Sequence, residues 1–169
     1  GTHSIAHAAM LVASGRCEVV LGGSAEAALT PTAIQGFINM TATSSSGRSC
    51  PFDAERDGFV IAEGAGVLVL EEWDRAEARG ATILAEGLGS ARTADAHHIT
   101  APAPGGSGAV SCMELALADA GVPTSAVGQI NAHGTSTPLN DAAEAEAIAK
   151  VFGNPGPPVT SIKGVTGHS

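Results

Sequence analysis

A chain of 169 residues is long enough for one ordinary domain with a sizeable buried core. Seventeen acidic against eight basic residues leave a formal charge of -9, which argues against nucleic acid as a partner, because phosphate binding needs clustered Lys and Arg and no such cluster exists here. Hydrophobic residues make up 44%, yet no apolar run approaches the ~20 residues of a membrane-spanning helix, so a soluble chain with no membrane partner is expected. Cys17, Cys50 and Cys112 are odd in number and lack CxxC spacing, which suggests neither a disulfide framework nor a metal site and points to a reducing, cytoplasmic setting. The opening "GTHSIAHAAM" has no initiator methionine or leader character and "VTGHS" breaks off after a glycine turn, so both ends read as cuts in a longer protein.

In chain order, residues 4–14 predict a helix with Ser4 as N-cap and Gly15 as its stop. "EVVLGG" predicts a buried strand, and "TPTAIQGF" a second helix with Thr30 as cap and Pro31 at the first helical position. The serine-rich "TATSSSGRSCP" is a loop. In "GFVIAEGAGVLVLEEW" two β-rich runs flank residues 63–66, too short a link for a crossover helix, so an antiparallel hairpin is expected. "EEWDRAEARG" predicts a short charged helix ended by Gly80, "ILAEGLGSA" a strand, "HHITAPAPGGSG" a loop and "AVSCMELALADAG" a helix. "VGQINAH", "TPLNDAAEAEAIAKVFG" and "PPVTSIK" then read strand, helix, strand, and the alternation implies an α/β fold with a substantially parallel sheet. The strand, small-residue turn, Thr-Pro and helix order of residues 18–37 recurs in residues 128–148, a weak hint of duplication.

His133 ends an apolar strand and opens the turn Gly134, Thr135, Ser136, Thr137, which places it at the carboxyl edge of the sheet, where open α/β folds hold ligands. The alternative is a histidine that merely tethers a loop. "SIKGVTGHS" repeats the arrangement at a second strand end and delivers Lys163 and His168. Two strand-end histidines with a lysine have the makings of an active site.

"NAHGTSTPLND" together with "SIKGVTGHS" resembles the histidine and lysine signatures of the β-ketoacyl-[acyl-carrier-protein] synthases, within the thiolase-like condensing enzymes. "GTHSIAHAA", "PFDAERDGFVIAEGAGVLVLEE" and "ADAHHITAP" resemble further segments of that family, so the likeness runs over the whole chain. Both histidines, and Ser136 followed by "PLND", resemble the free-standing elongating type II (synthase II-like) enzymes. The resemblance implies a duplicated, thiolase-like α-β-α-β-α layered fold present only in part, with 1–80 ending an N-terminal half and 81–169 starting a C-terminal half. It implies decarboxylative Claisen condensation of malonyl-[acyl-carrier-protein] (malonyl-ACP) with an acyl thioester in fatty acid biosynthesis, a homodimeric parent, acyl carrier protein as partner, and no cofactor beyond the carrier's phosphopantetheine arm. A type II polyketide ketosynthase, its non-catalytic chain-length-factor partner and a non-enzymatic binding module remain as alternatives.

By resemblance, His133 and His168 are imidazoles that donate from Nε2 to a developing thioester enolate, and Lys163 supports the site's charge balance with Glu144 as its acidic partner. Thr135, Thr137 and Thr100 resemble hydroxyls that bind the phosphopantetheine arm, and Phe37 resembles an acyl-pocket aromatic; Thr137 also suits the N-cap before Pro138, and Phe37 also suits simple core packing. The family's nucleophilic cysteine falls three residues before its Gly-Thr, which here is Gly1-Thr2, so the nucleophile is expected upstream of this sequence and none of the three cysteines present is expected to replace it.

Overall fold

A computed structural model describes residues 1–169. Six helices and four strands run in the order α1 (Thr2–Ala13), β1 (Val19–Glu26), α2 (Pro31–Asn39), β2 (Gly64–Glu71), α3 (Trp73–Ala78), α4 (Ser107–Ala120), β3 (Ile130–Asn131), α5 (Pro138–Phe152), β4 (Val159–Thr160) and α6 (Lys163–Thr166).

Local chemistry accounts for most helix boundaries. Thr30 Oγ1 accepts the Ala33 N–H at 3.3 Å and Pro31 occupies the first turn of α2, satisfying one free helix donor and removing another. The Glu72 carboxylate caps α3 by accepting from Asp74 and Arg75 at 3.1 and 2.9 Å. Gly121, with φ 66°, takes the left-handed conformation that ends α4. The expectation for Ser4 fails: α1 already starts at Thr2, and the Ser4 hydroxyl accepts the Gly23 N–H at 3.1 Å, tying the helix to β1. A hydroxyl within reach of a neighbouring strand's amide serves that tertiary bond rather than the helix end.

β1 pairs antiparallel with β2, Val19 opposite Glu71 and Glu26 opposite Gly64. α1 covers one face of this ribbon closely, since a Cβ added to Gly22 would lie 2.9 Å from Ala8 Cβ. The hairpin expected around Glu63 does not form. Residues 59–62 make only single parallel bridges, Thr43 to Phe59 and Ile61 to His168, while the whole of β2 pairs with β1. An eight-residue partner gives β2 a longer ladder than the short run before Glu63 could.

The strand expected in "ILAEGLGSA" is also absent as a ladder. Its backbone lies against α4 instead: the Ser90 N–H donates to Asp119 at 2.8 Å, and any Cβ on Gly89 would collide with Ala120. β3 and β4 pair in parallel, Ile130 opposite Val159 and Asn131 opposite Thr160, each only two residues long and shorter than their apolar runs suggested. Parallel pairing is therefore the minor part of the sheet structure, not the substantial part expected. The β3–α5–β4 unit nevertheless turns the carboxyl ends of both strands to one edge, and His133 and Lys163 follow those ends.

Candidate active site

His133 and His168 meet at that edge with ring centroids 5.6 Å apart and planes at 80°. Imidazoles so placed can both direct a nitrogen at one small acceptor. The rest of the neighbourhood consists of contacts that hold those two rings.

The peptide joining His133 to Gly134 is gripped by opposite charges. Lys163 Nζ donates to the His133 carbonyl at 2.7 Å. On the other side, the Glu144 carboxylate accepts the N–H groups of His133 and Gly134 at 2.7 and 2.8 Å. A trans peptide points its C=O and N–H in opposite directions, so a cation and an anion that each take one end cannot also touch each other. This corrects the expected Lys163–Glu144 ion pair: no contact within salt-bridge distance joins them, and the peptide lies between. Ser161 adds a further donor, its hydroxyl reaching the Gly134 carbonyl at 2.9 Å.

His168 is fixed through its backbone to residues 60–62. Its N–H donates to Val60 O at 2.8 Å, and its carbonyl accepts from the Ala62 N–H at 2.8 Å. Phe59 packs against its ring at 5.0 Å between centroids and meets Phe37 edge-on at 5.3 Å. Phe37 of α2 is thus one aromatic ring removed from His168. Phe59, 9% exposed, was not singled out from sequence; an aromatic directly after "RDG" is the signal that was present.

The turn after His133 is anchored from beneath. Asp141, 1% exposed in the first turn of α5, accepts the N–H groups of Phe52 at 2.8 Å and Ser136 at 3.2 Å. Ser136 takes a positive φ of 68°, its hydroxyl accepts the Cys50 N–H at 3.0 Å, and its carbonyl accepts the Gly58 N–H at 3.0 Å. Arg56 donates to the Thr137 and Pro138 carbonyls at 3.3 and 3.0 Å. Residues 50–58 are thereby bonded along the underside of the histidine turn. Asp141 and Ser136 were missed as site supports, although an acid in a helix's first turn is a recognisable anchor for backbone N–H groups.

The Thr135 and Thr137 hydroxyls bond each other at 2.8 Å. Thr137 stands at the N-cap position of α5, but its side chain accepts no helix N–H, so its predicted capping bond is replaced by the one to Thr135. Thr100 lies on the exposed 97–101 bend, where His98 Nδ1 accepts the Thr100 and Ala101 N–H groups at 3.1 Å each, and the structure gives Thr100 no contact with either catalytic-candidate imidazole. A cleft of about 210 Å³ beside His133, walled by Asp95, Asn140 and Glu144, separates α5 from the loop that carries Thr100.

Both imidazoles favour the neutral form. Burial, assisted by the Lys163 charge, lowers the pKa of His133 against the opposing pull of Glu144 and Asp141. Burial likewise lowers His168, aided by His133 and Lys163 and opposed by its backbone hydrogen bond and Glu26. Lys163 is itself lowered by burial, in opposition to Glu144 and Asp141. A neutral imidazole carries one N–H donor, so the pair presents up to two donors beside the Lys163 ammonium. Such an arrangement can stabilise an oxygen that becomes negative.

The comparisons with known proteins agree along the chain. Residues 1–76 match the family described as "Beta-ketoacyl synthase, N-terminal domain", and residues 84–169 match "Beta-ketoacyl synthase, C-terminal domain". The chain is 44% identical over 176 residues to 3-oxoacyl-[acyl-carrier-protein] synthase 2 of Vibrio cholerae serotype O1, covering 99% of this chain and 42% of that protein. It superposes with a TM-score of 0.96, at 41% identity, on the ketosynthase complex titled "type II PKS acyl-carrier protein in complex with its ketosynthase bound to the hexaketide", covering 99% of this chain and 43% of that one. It also superposes with a TM-score of 0.94, at 39% identity, on "The ishigamide ketosynthase/chain length factor", covering 100% of this chain and 41% of that one. The chain thus spans less than half the length of these relatives, and the fold it shares with them is part of a thiolase-like ketosynthase. On the two matched domains together, the chain belongs to the β-ketoacyl synthase family.

Proposed function

We propose that the protein carrying this chain is an elongating 3-oxoacyl-[acyl-carrier-protein] synthase of fatty acid biosynthesis. The observation that carries the reading is the pair of imidazoles 5.6 Å apart, both shifted toward the neutral form beside a lysine. In the proposed step the malonyl carboxylate leaves as carbon dioxide, and the electron pair of the broken C–C bond passes into the thioester carbonyl, giving an enolate. His133 and His168 donate from Nε2 to its oxygen, a contribution of about 3–4 kcal/mol per well-placed donor. The enolate carbon then attacks the acyl thioester and expels the thiolate. Lys163 and Glu144 act on His133 by fixing its peptide, Thr135, Thr137 and Thr100 bind the phosphopantetheine arm, and Phe37 borders the acyl chain. Acyl carrier protein is the partner, the intact enzyme is a homodimer, and the chemistry needs no cofactor beyond the carrier's arm. The halves meet near Gly80, in keeping with family matches that stop at residue 76 and resume at residue 84.

The acylated cysteine is proposed to lie outside this chain. Cys50 is engaged with Ser136, Cys112 with the Ala91 carbonyl, and Cys17 lines a cleft with Glu18, Glu72 and Arg75. Aromatic-polyketide ketosynthases are the second reading, supported by the likeness to the hexaketide-bound complex; the presence of both histidines and Lys163 argues against a chain-length factor. The test is carbon dioxide release from labelled malonyl-ACP by the whole protein. His133→Ala and His168→Ala should each lower it by 100-fold or more, and release that survives both substitutions ends this reading. Incubated with labelled acyl-ACP, the 169-residue chain should take up no label where the whole protein does; label lost on changing Cys17, Cys50 or Cys112 to Ala would relocate the nucleophile.

A further inference from the structure

Asp57 has no part in the reaction as proposed, yet it is the most heavily hydrogen-bonded carboxylate in the chain. It accepts from Ser44 Oγ at 2.6 Å, the Ser45 N–H at 3.0 Å, Ser45 Oγ at 2.8 Å, the Ser46 N–H at 3.0 Å and Ser46 Oγ at 3.2 Å. Hydrogen bonds from Ser44 and Ser45, with the Ser46 amide, hold its pKa far below the usual carboxylate range, so the acceptor remains charged under all working conditions. The run of three serines is therefore a receptor for one side chain.

That side chain immediately precedes the segment that reaches His168. Gly58 packs so tightly on residues 43–44 that an added Cβ would stand 2.5 Å from the Thr43 carbonyl carbon, and its φ of 143° is one that glycine alone adopts readily. The Phe59 N–H donates to Ala42 O at 3.0 Å, and the Phe59 carbonyl accepts from the Ser44 N–H at 2.9 Å. The Phe59 ring then lies 5.0 Å from the imidazole of His168. Ser44 thus bonds to Asp57 through its hydroxyl and to Phe59 through its amide, so the latch and the aromatic ring share one anchor residue.

We infer that the Asp57 latch on Ser44, Ser45 and Ser46 is a positioning device for His168, acting through Phe59. Asp57 itself touches neither imidazole. Its effect is to hold Phe59 against His168, which excludes water from one side of the ring. Four other groups act on the same imidazole: His133 and Lys163 from the β3 and β4 ends, Glu26 from β1, and the backbone around His168 itself. None of them bonds to residues 44–46 or 57; the His168 backbone bonds to Val60 and Ala62, so a change at Asp57 reaches His168 through the Phe59 ring and residues 60–62, which follow it.

The inference rests on the proposed role of His168, and its test separates the two. In the whole protein, Asp57→Asn keeps the size of the side chain but turns a hydrogen-bond donor toward serine N–H and O–H donors; the Ser45→Ala, Ser46→Ala double variant weakens the same latch more gently, should Asp57→Asn fold poorly. The His168 ring is titrated by NMR, and carbon dioxide release from malonyl-ACP is measured beside it. The expected result is a His168 pKa that rises toward the ordinary histidine value, a roughly 10-fold slower release, and an acid limb of the pH–rate profile that moves up with the titration; Phe59→Leu should raise the same pKa. A His168 titration unmoved by either latch variant overturns the inference, even if stability falls. Absence of malonyl decarboxylation in the unsubstituted protein would instead defeat the proposed function, and the titration alone would then decide the latch.

Discussion

Glu144→Gln is the sharpest perturbation of the proposed site, because it exchanges one carboxylate oxygen for an NH2 group and leaves volume almost untouched. Glu144 uses one oxygen for the His133 N–H at 2.7 Å and the other for the Gly134 N–H at 2.8 Å. A carboxylate accepts at both oxygens, whereas an amide accepts at one and donates at the other. One N–H of the turn must therefore face an NH2 group, and the surviving bond loses its charge assistance. Bonds to charged groups contribute about 1.5–3 kcal/mol each and an unsatisfied buried donor costs about 1–3 kcal/mol, so a loss of roughly 3 kcal/mol is expected. The substitution also removes the anion that offsets Lys163 across the His133–Gly134 peptide. Urea unfolding of the whole protein should show the lower midpoint, and carbon dioxide release should fall further than stability explains, since an imidazole displaced by about 1 Å can cost about 100-fold. A Glu144→Gln protein with unchanged midpoint and rate would show that the two amide bonds do not hold His133, and the argument from the bracketed peptide would fail.

Gly134→Ala should be worse than an ordinary glycine substitution. Residue 134 has φ 42°, and the new Cβ would stand 2.5 Å from Ser161 Cβ and 3.0 Å from a Phe52 ring carbon; strain of about 1–2 kcal/mol for the backbone alone, with overpacking of about 1–3 kcal/mol, should appear as poor expression or a much lower melting temperature, and a variant of native stability would contradict the described turn. The imidazoles also predict the direction of a pH effect. Both folded-state pKa values lie below the ordinary 6.5, so between those values and 6.5 the unfolded chain binds more protons, and stability must rise with pH. The contribution is complete above pH 6.5 and is lost as the pH falls through the lowered values. Urea midpoints measured from pH 8 to 5 should therefore decline below about pH 6.5, and the acid limb of the rate profile should lie below that value as well; a midpoint that improves on acidification contradicts neutral imidazoles.

How far the sequence reveals this arrangement depends on the range of the interactions involved. Helix starts such as Thr30-Pro31 and stops such as Gly80 are decided within four residues, and they are legible. His133, Lys163 and His168 are legible as candidates because a strand end followed by a glycine turn is a local pattern that points a side chain to one edge. The missing hairpin and the missing strand at residues 83–91 were decided by partners instead: β2 took β1, and Gly89 took the α4 surface. Lys163 and Glu144 were expected to pair directly, and only coordinates show that one peptide separates them. Phe59, Asp57, Ser136 and Asp141 act through bonds to residues 11 to 89 positions away, and periodicity carries no trace of bonds that long.

Those long-range bonds run mostly in one direction, which bears on how the site is held. Ser49 donates to the Lys163 carbonyl, Cys50 to the Ser136 hydroxyl, Phe52 to Asp141, Arg56 to the Thr137 and Pro138 carbonyls, and Gly58 to the Ser136 carbonyl. In these six bonds residues 49–58 give the proton and the turn beyond β3, the start of α5 or α6 receives it, while the Ser136 hydroxyl returns one bond to Cys50 Sγ at 3.8 Å. A turn that spends its N–H groups on Glu144 and Asp141 needs donors from elsewhere for its carbonyls, since burying one without a donor would cost about 1–3 kcal/mol; Lys163 and Ser161 serve the His133 and Gly134 carbonyls. The loop at residues 49–58 supplies the donor for the Ser136 carbonyl through Gly58 and further donors for the Thr137 and Pro138 carbonyls through Arg56. Two loops more than seventy residues apart in sequence therefore complete one hydrogen-bonding set: the second presents His133, and the first continues through Gly58 into Phe59 and the bridge that fixes His168. The spacing of the two imidazoles is consequently a property of the seam between the loops, not of either loop alone.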